Sequence, residues 1–505
     1  MNKSRALSVI HAETKTQAGG VKLDLKEGQL QFLTKDELYE IHLATSEILE
    51  EVGVKFLSQK ALEILDKAGA HVDFKKETAR IPEYLVKEAV KRAPSSCTLY
   101  GRNFNYKLRL GGKRVYFSMS GWLPYVLDLE SGKCREGNLA DVESFFKLGD
   151  YLENIHFMDW AVWPRDVPEA LVHVYGLFLG FKNTTKPLDG YIYGEKPAED
   201  NIRMASVVAG GEEELRRRPL LLTIENPTSP LQHSKEAIEG LMVYAKYNQP
   251  LVIASEAQSG TTAPATLAGL LVQQNAEVLS GIVLAELVNP GTPVLYGTVS
   301  TIANMKSGNI ALGAMETGLI NAATAQLARY YGLPSRGIGG TTDSMIPDIQ
   351  AGLEKAATLM MAALAGINLI YSFAGSLEST LTVSYEQLVI DNELAGMVSR
   401  ALKGIKVNDK TLAVDVIKKV GPGNHYLTQR HTLENFRKEH YIPRILNREK
   451  RKTWENAGSK DLREIAREEV KRILKTHQPE PLDRDVEKEL KRIIEEVEKR
   501  ETQKM

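Results

Sequence analysis

The chain has 505 residues, 43% of them apolar and 26% charged, with a formal net charge of −1. That is the balance of a globular protein in water, and it leaves no surplus of Lys and Arg for nucleic acid or an anionic membrane. The two cysteines, Cys97 and Cys134, lie far apart, and neither CxxC nor HExxH spacing occurs, so a disulfide framework is excluded, no metal site is expected and a reducing compartment is favoured.

In chain order, residues 1–32 are expected to form an N-terminal tail without an apolar run, so no signal peptide is expected and the location is read as cytoplasmic. Residues 33–110 read as helices that pack on a central domain, opened by a capping box at Thr34-Lys-Asp-Glu37. Over 111–404, eight short β-rich runs alternate with helical patterns: 115–120, 156–163, 188–193, 220–225, 251–256, 294–299, 335–340 and 368–373. Between them, stretches such as 141–152, 169–181, 235–247, 267–287, 313–331 and 349–365 repeat apolar residues at three and four, and 385–402 forms the eighth helix. Pro187, Pro219, Pro250, Pro293 and Pro334 stand just before strand runs, where no ladder donor is required. Strand–helix alternation implies parallel pairing with helices outside. The count of eight, and the lack of a GxGxxG turn after the first strand, favour a closed barrel over an open doubly wound sheet. The predicted fold class is therefore α/β, a TIM (β/α)8 barrel with added N-terminal helices and a C-terminal helical extension over 405–505.

Residues 356–377 carry no charge and are long enough to span a bilayer, but Gly366 and Asn368 interrupt them, so a buried helix followed by a buried strand is expected and no membrane. In the extension, 462–474 and 486–497 read as amphipathic helices with solvated charged faces; covering the barrel or joining subunits is the second reading. A homo-oligomer is expected.

Chemistry in such a barrel sits at the C-terminal strand ends. Those ends carry Trp122 after the first strand, Trp160, Trp163 and Arg165 on and after the second, and Tyr191 and Tyr193 on the third. Glu225 and Glu256 end the fourth and fifth, Tyr296 lies on the sixth, Arg336, Thr341 and Asp343 on or after the seventh, and Phe373 on the eighth. Three of the four tryptophans lie at the first two strand ends. Any single ring is as well explained by barrel packing; the group as a whole is better explained as a pocket for a cation that cannot donate hydrogen bonds, held by cation–π contacts of ~0.5–2 kcal/mol each. Glu225, Glu256 and Asp343 are candidates for general base, counter-charge or loop tether, and Asp343-Ser344 for a helix cap.

Together, Asn226-Pro-Thr-Ser-Pro-Leu231, Gly260-Thr-Thr-Ala-Pro-Ala-Thr-Leu-Ala-Gly269, Gln274-Asn-Ala-Glu277, Gly340-Thr-Thr-Asp-Ser344 with Asp348-Ile-Gln350, and Glu386-Gln-Leu-Val-Ile-Asp391 resemble the trimethylamine methyltransferase family, from about Leu33 to the last helix. The resemblance implies a TIM barrel that moves a methyl group from an amine to the cobalt of a corrinoid (cobalamin) carried by a separate corrinoid protein, with no cofactor bound tightly by the chain itself. In trimethylamine members pyrrolysine stands just before a Thr-Asp-Ser run; Thr341 is the matching residue here. The resemblance then points to the branch acting on quaternary amines such as betaines.

A quaternary ammonium leaves as a neutral tertiary amine, so neither acid nor metal need assist, and with cobalt as nucleophile no protein nucleophile is required. The cation's charge is lost in the transition state, so too tight a grip on it slows transfer. On this reading Glu256, Asp343 and Thr341 are the candidate catalytic residues. For a betaine carboxylate Arg165 and Arg336 are candidate partners, although Arg336 is equally placed to pair with a carboxylate inside the barrel. Three alternatives stay open: direct transfer to tetrahydrofolate, a lyase with Glu256 or Asp343 as base, and a non-catalytic amine-binding protein.

Overall fold

A computed structural model of the chain describes residues 21–22 and 29–503, so most of the expected tail lies outside the described residues. Seven strands run parallel in one sheet: Arg114–Met119, Leu188–Asp189, Leu221–Glu225, Leu251–Ser255, Val294–Thr298, Ser335–Ile338 and Leu369–Ala374. The last pairs with the first, Leu369 opposite Tyr116. Residues 156–163 complete the ring through single bridges, Ser118 to Phe157 on one side and Met158 to Leu188 on the other. The eight-stranded barrel is therefore closed, with its second member irregular. The irregularity has a local cause: Trp160 N donates to the Asp159 carboxylate beside it, and Gly121 approaches that carboxylate so closely that a Cβ there would overlap it.

Alternation along the strands sorts the side chains. Tyr116, Phe157, Leu222, Ile224, Val252, Ala254, Leu295, Leu369 and Tyr371 point inward and form one apolar cluster. Leu99 and Leu108, from the hairpin Ser96–Tyr100 and Lys107–Gly111, join that cluster. Tyr100 N donates to the carbonyl of Pro219, just ahead of the fourth strand, so the hairpin plugs the N-terminal end and leaves the C-terminal end for chemistry. Ile253, Tyr296 and Ile370 point outward into the layer between strands and helices.

The uncharged stretch 356–377 divides as its Gly366 suggests: helix Ile349–Ala365 ends at Gly366 in the left-handed region (φ 85°), and strand Leu369–Ala374 follows. Helix Leu267–Val288 is long and apolar enough to cross a membrane, but it lies mostly buried beside the barrel. Its inner face carries polar residues that clamp the outer faces of the strands. Gln274 accepts from Thr298 Oγ1 at 2.7 Å, Asn275 accepts from Tyr296 OH at 2.9 Å, and Glu277 accepts from Ser229, Ser255 and the N–H of Leu231. Gln274, Asn275 and Glu277 each find partners on other elements, which fixes the helix register against the barrel.

Outside the barrel the N-terminal region differs from expectation, and the two C-terminal helices agree with it. The region 33–110 is mixed rather than helical: helices Lys35–Glu47, Gln59–Lys67 and Glu83–Arg92 alternate with short strands Val54–Phe56, His71–Asp73 and Thr78–Arg80. Those strands are three residues each, too brief for a periodicity to declare itself. The capping box is present, with Thr34 and Glu37 bonded both ways. In the extension, helices Leu462–Thr476 and Arg484–Thr502 bury Ala466, Val470 and Ile473, and Leu490, Ile493 and Val497, while their charged faces stay in water. Arg467 bonds Glu386 and Arg500 bonds Asp200, so both helices are pinned onto barrel helices.

Candidate active site

At the C-terminal end of the first two strands the backbone brings two chain segments side by side: Trp122 N donates to Trp160 O at 2.7 Å and Trp163 N to Leu123 O at 2.8 Å. Trp122 itself takes a positive φ of 66°, which turns its ring inward. The indole stacks on Trp160 with centroids 4.5 Å apart, and stands 5.6 Å from Trp163 and 5.3 Å from Tyr191. Tyr193 meets Tyr191 edge-on at 5.8 Å. All five predicted aromatics of the first three strand ends are therefore one cluster. They are not equivalent. Trp160 is 1% exposed and packs on Gly176 of helix Val172–Asn183, so it backs the wall, while Trp122, Trp163 and Tyr191 are part-exposed and Tyr193 is 47% exposed.

Beneath this wall lies an acidic floor that the sequence reading did not single out. Trp122 Nε1 donates to Asp189 Oδ2 at 2.9 Å. Tyr371 OH lies 3.2 Å from the same oxygen and donates to Asp159 Oδ2. Arg336 lies over the Tyr371 ring, 4.4 Å from its centroid, and donates through Nη1 to the carbonyl of Thr298. Burial raises both carboxyl groups above the usual range, Asp189 the more so because the Asp159 charge stands beside it. Burial lowers the Arg336 guanidinium, opposed by Tyr371, Glu256 and both aspartates. Arg336 makes no ion pair within 4 Å among the described residues, and the carboxylates reach it only as nearby charges.

Glu256 continues the inward side of its strand, after Val252 and Ala254. Solvent reaches it through the mouth, yet protein surrounds it, so desolvation raises its carboxyl while Arg336 acts the other way. Desolvation, then Glu256 and Glu225, push the Tyr193 hydroxyl up to about 12.

The other predicted residues lie elsewhere. Glu225 and Tyr296 follow the inward-pointing Ile224 and Leu295, so alternation turns both outward; Glu225 bonds His233 Nδ1 at 2.9 Å and Tyr296 stacks on Tyr331. Phe373 should share a side with Tyr371, but Ser372 between them takes a positive φ of 53°, and Phe373 packs outward near Phe117 and Lys355. The expectation that Glu225, Tyr296 and Phe373 line the cavity is corrected on these grounds. Arg165 is exposed on the rim. Thr341 is fully buried, its hydroxyl donating to Leu312 O at 2.7 Å. Asp343 caps no helix; it accepts from Gly313 N and Ser379 Oγ, joining the loops after the sixth and eighth strands, while Asp348 caps helix Ile349–Ala365. The missed Asp159 and Asp189 did leave a signal, an acid at an inward position within each of two largely apolar strand runs.

The family model described as trimethylamine methyltransferase (MTTB) matches residues 3–503. A glycine betaine methyltransferase of Desulfitobacterium hafniense strain Y51 is 37% identical over 92% of this chain and 96% of its own length. A trimethylamine methyltransferase of D. hafniense strain DCB-2 is 42% identical over 92% of this chain and 93% of its own, and one from Methanosarcina barkeri strain Fusaro is 39% identical over 93% and 96%. The solved monomethylamine methyltransferase of Methanosarcina barkeri aligns with a TM-score of 0.52 over 89% of this chain and 90% of that one; at 13% identity this speaks to the fold alone.

Proposed function

The chain belongs to the trimethylamine methyltransferase family and is a methyltransferase, and on that premise we propose that it takes a methyl group from a small quaternary amine and delivers it to a corrinoid held by a separate protein. The observation that carries this reading is the aromatic wall of Trp122, Trp163, Tyr191 and Tyr193 standing over the Asp159–Asp189 floor. Identity does not choose the substrate, since relatives named for glycine betaine and for trimethylamine are 37% and 42% identical. Thr341 supports the quaternary branch, because its tethered hydroxyl offers no electrophile for a neutral amine.

In this mechanism the rings hold the cation by its methyl groups through their negative faces. Trp122 is fixed from behind by Trp160 and from below by Asp189, so the N–CH3 bond meets a pre-set wall. The corrinoid supplies the nucleophile that takes the methyl group. The loops at the mouth fit a large partner, with exposed apolar side chains at Met305 after the sixth strand and Met345 after the seventh. The amine leaves neutral, so no residue of the chain has to protonate it for the bond to break.

The test is a screen of methylated amines with the full-length protein and reduced cobalamin, following methylation of cobalt by absorbance. Methylation that requires a quaternary amine is expected. Transfer from trimethylamine alone, or to tetrahydrofolate and never to cobalamin, overturns the reading.

A further inference from the structure

The acid pair poses a counting problem. Tyr371 has one hydroxyl proton, and two carboxylates reach its oxygen. Tyr371 donates it to Asp159. The remaining contact, Asp189 Oδ2 at 3.2 Å, is a hydrogen bond only if Asp189 brings a proton of its own. Asp189 Oδ1 is buried without a partner among the described residues, which a charged carboxylate tolerates poorly and a protonated one tolerates better. Two ionised carboxylates around one phenol, both almost wholly buried, would leave more negative charge than Arg336 alone neutralises.

We propose that Asp159 and Asp189 share one proton in the empty site and release it when a fixed cation enters against Trp122, so that the site exchanges a proton for its substrate. This rests on the quaternary-amine reading and goes beyond it by naming what supplies the counter-charge and when. With the site empty, the shared proton keeps the floor close to neutral beside Arg336. A permanent positive charge on the Trp122 wall, one hydrogen bond from Asp189, favours the ionised pair instead. When the methyl group leaves, the substrate's charge is gone, the pair takes a proton back from water, and the attraction that held the ligand disappears with it. No oxidation or bond rearrangement in the protein is involved.

The groups facing the pair from each surrounding element are Tyr371 and Arg336 from the eighth and seventh strands, Glu256 from the fifth, Tyr193 from the third, and Tyr244 from helix Lys235–Lys246. Burial holds the hydroxyls of Tyr371, Tyr244 and Tyr193 above their ordinary range. Arg336 is pulled below its ordinary range, and burial raises the two aspartates and Glu256, which leaves these three carboxyl groups as the candidate proton donors.

The test is calorimetric titration of the full-length protein with tetramethylammonium and with choline at pH 7, in buffers of different ionisation enthalpy. The number of protons exchanged is read from the dependence of the heat on buffer. About one proton released per cation bound is expected, with affinity rising up to tenfold per pH unit below the pair's titration. 3,3-Dimethylbutanol, the uncharged isostere of choline, is expected to release none. Asp189→Asn and Asp159→Asn are each expected to abolish the release while choline still binds; an undiminished release in both assigns the proton to Glu256 and overturns the proposal. If neither variant folds, Glu256→Gln takes their place: release kept in it assigns the proton to the pair, and release lost assigns it to Glu256 and overturns the proposal. Cation binding with no proton exchanged overturns this proposal and leaves the substrate reading standing. Absence of binding by any quaternary cation overturns both.

Discussion

Trp122 Nε1 donates to Asp189 Oδ2 at 2.9 Å, and through that one bond the aromatic wall and the acid floor form a single unit. The indole presents a negative face to a ligand and a positive edge to a carboxylate, so one side chain serves both.

Replacing Trp122 by Phe keeps a ring over Trp160 and removes the N–H. Binding of choline or tetramethylammonium should weaken by about 1–2 kcal/mol, roughly 5- to 30-fold, from a poorer cation–π face and an unanchored Asp189. Equilibrium dialysis measures it, and an unchanged affinity would place the cation elsewhere.

Thr341→Val removes the hydroxyl that tethers the seventh-strand loop to Leu312 O. A loss of about 0.5–1.5 kcal/mol of stability is expected, with the rate of methyl transfer at saturating substrate kept within a few-fold. A collapse of kcat without a change in melting temperature would instead give this hydroxyl a chemical role.

Lys355 donates to the carbonyls of Gly340 and Phe373 and to Asp391 Oδ2, all at full burial, and so ties the ends of the seventh and eighth strands together. Lys355→Met leaves Asp391 uncompensated and should cost about 3–5 kcal/mol. The double variant Lys355→Met with Asp391→Asn should recover part of this, because the amide oxygen can still accept from Gly375 N where the carboxylate does now. Denaturant melts of the two variants provide the comparison.

His156 is buried, accepts from Phe117 N at 3.1 Å, and is held down to about 3 by burial and then by nearby Lys186. Its ordinary value is 6.5, so between those limits the unfolded chain binds a proton that the folded chain refuses. Stability present above pH 6.5 is therefore lost as the pH falls through this window, by about 1.4 kcal/mol per unit at most. His156→Gln should flatten the slope of stability against pH by close to one proton in that range. An identical slope in the variant would mean that His156 titrates normally.

Much of the architecture was legible because it follows from local rules. Prolines at the strand starts, alternating apolar residues and helical spacing gave all eight barrel members and their order. Period two, applied strictly, would also have turned Glu225 and Tyr296 outward, since Ile224 and Leu295 had to face in. It could not have handled Phe373, because the left-handed turn at Ser372 resets the alternation and no residue type there announces it.

By itself, then, the sequence determined the barrel and the aromatic character of the first three strand ends, because these depend on neighbours along the chain. Only the tertiary structure decided that Asp159, Asp189, Tyr371 and Arg336 meet beneath Trp122. They come from four different strands, up to 212 residues apart in the Asp159–Tyr371 bond. What forces them together is closure of the ring, and closure is a property of the whole barrel that no local stretch encodes.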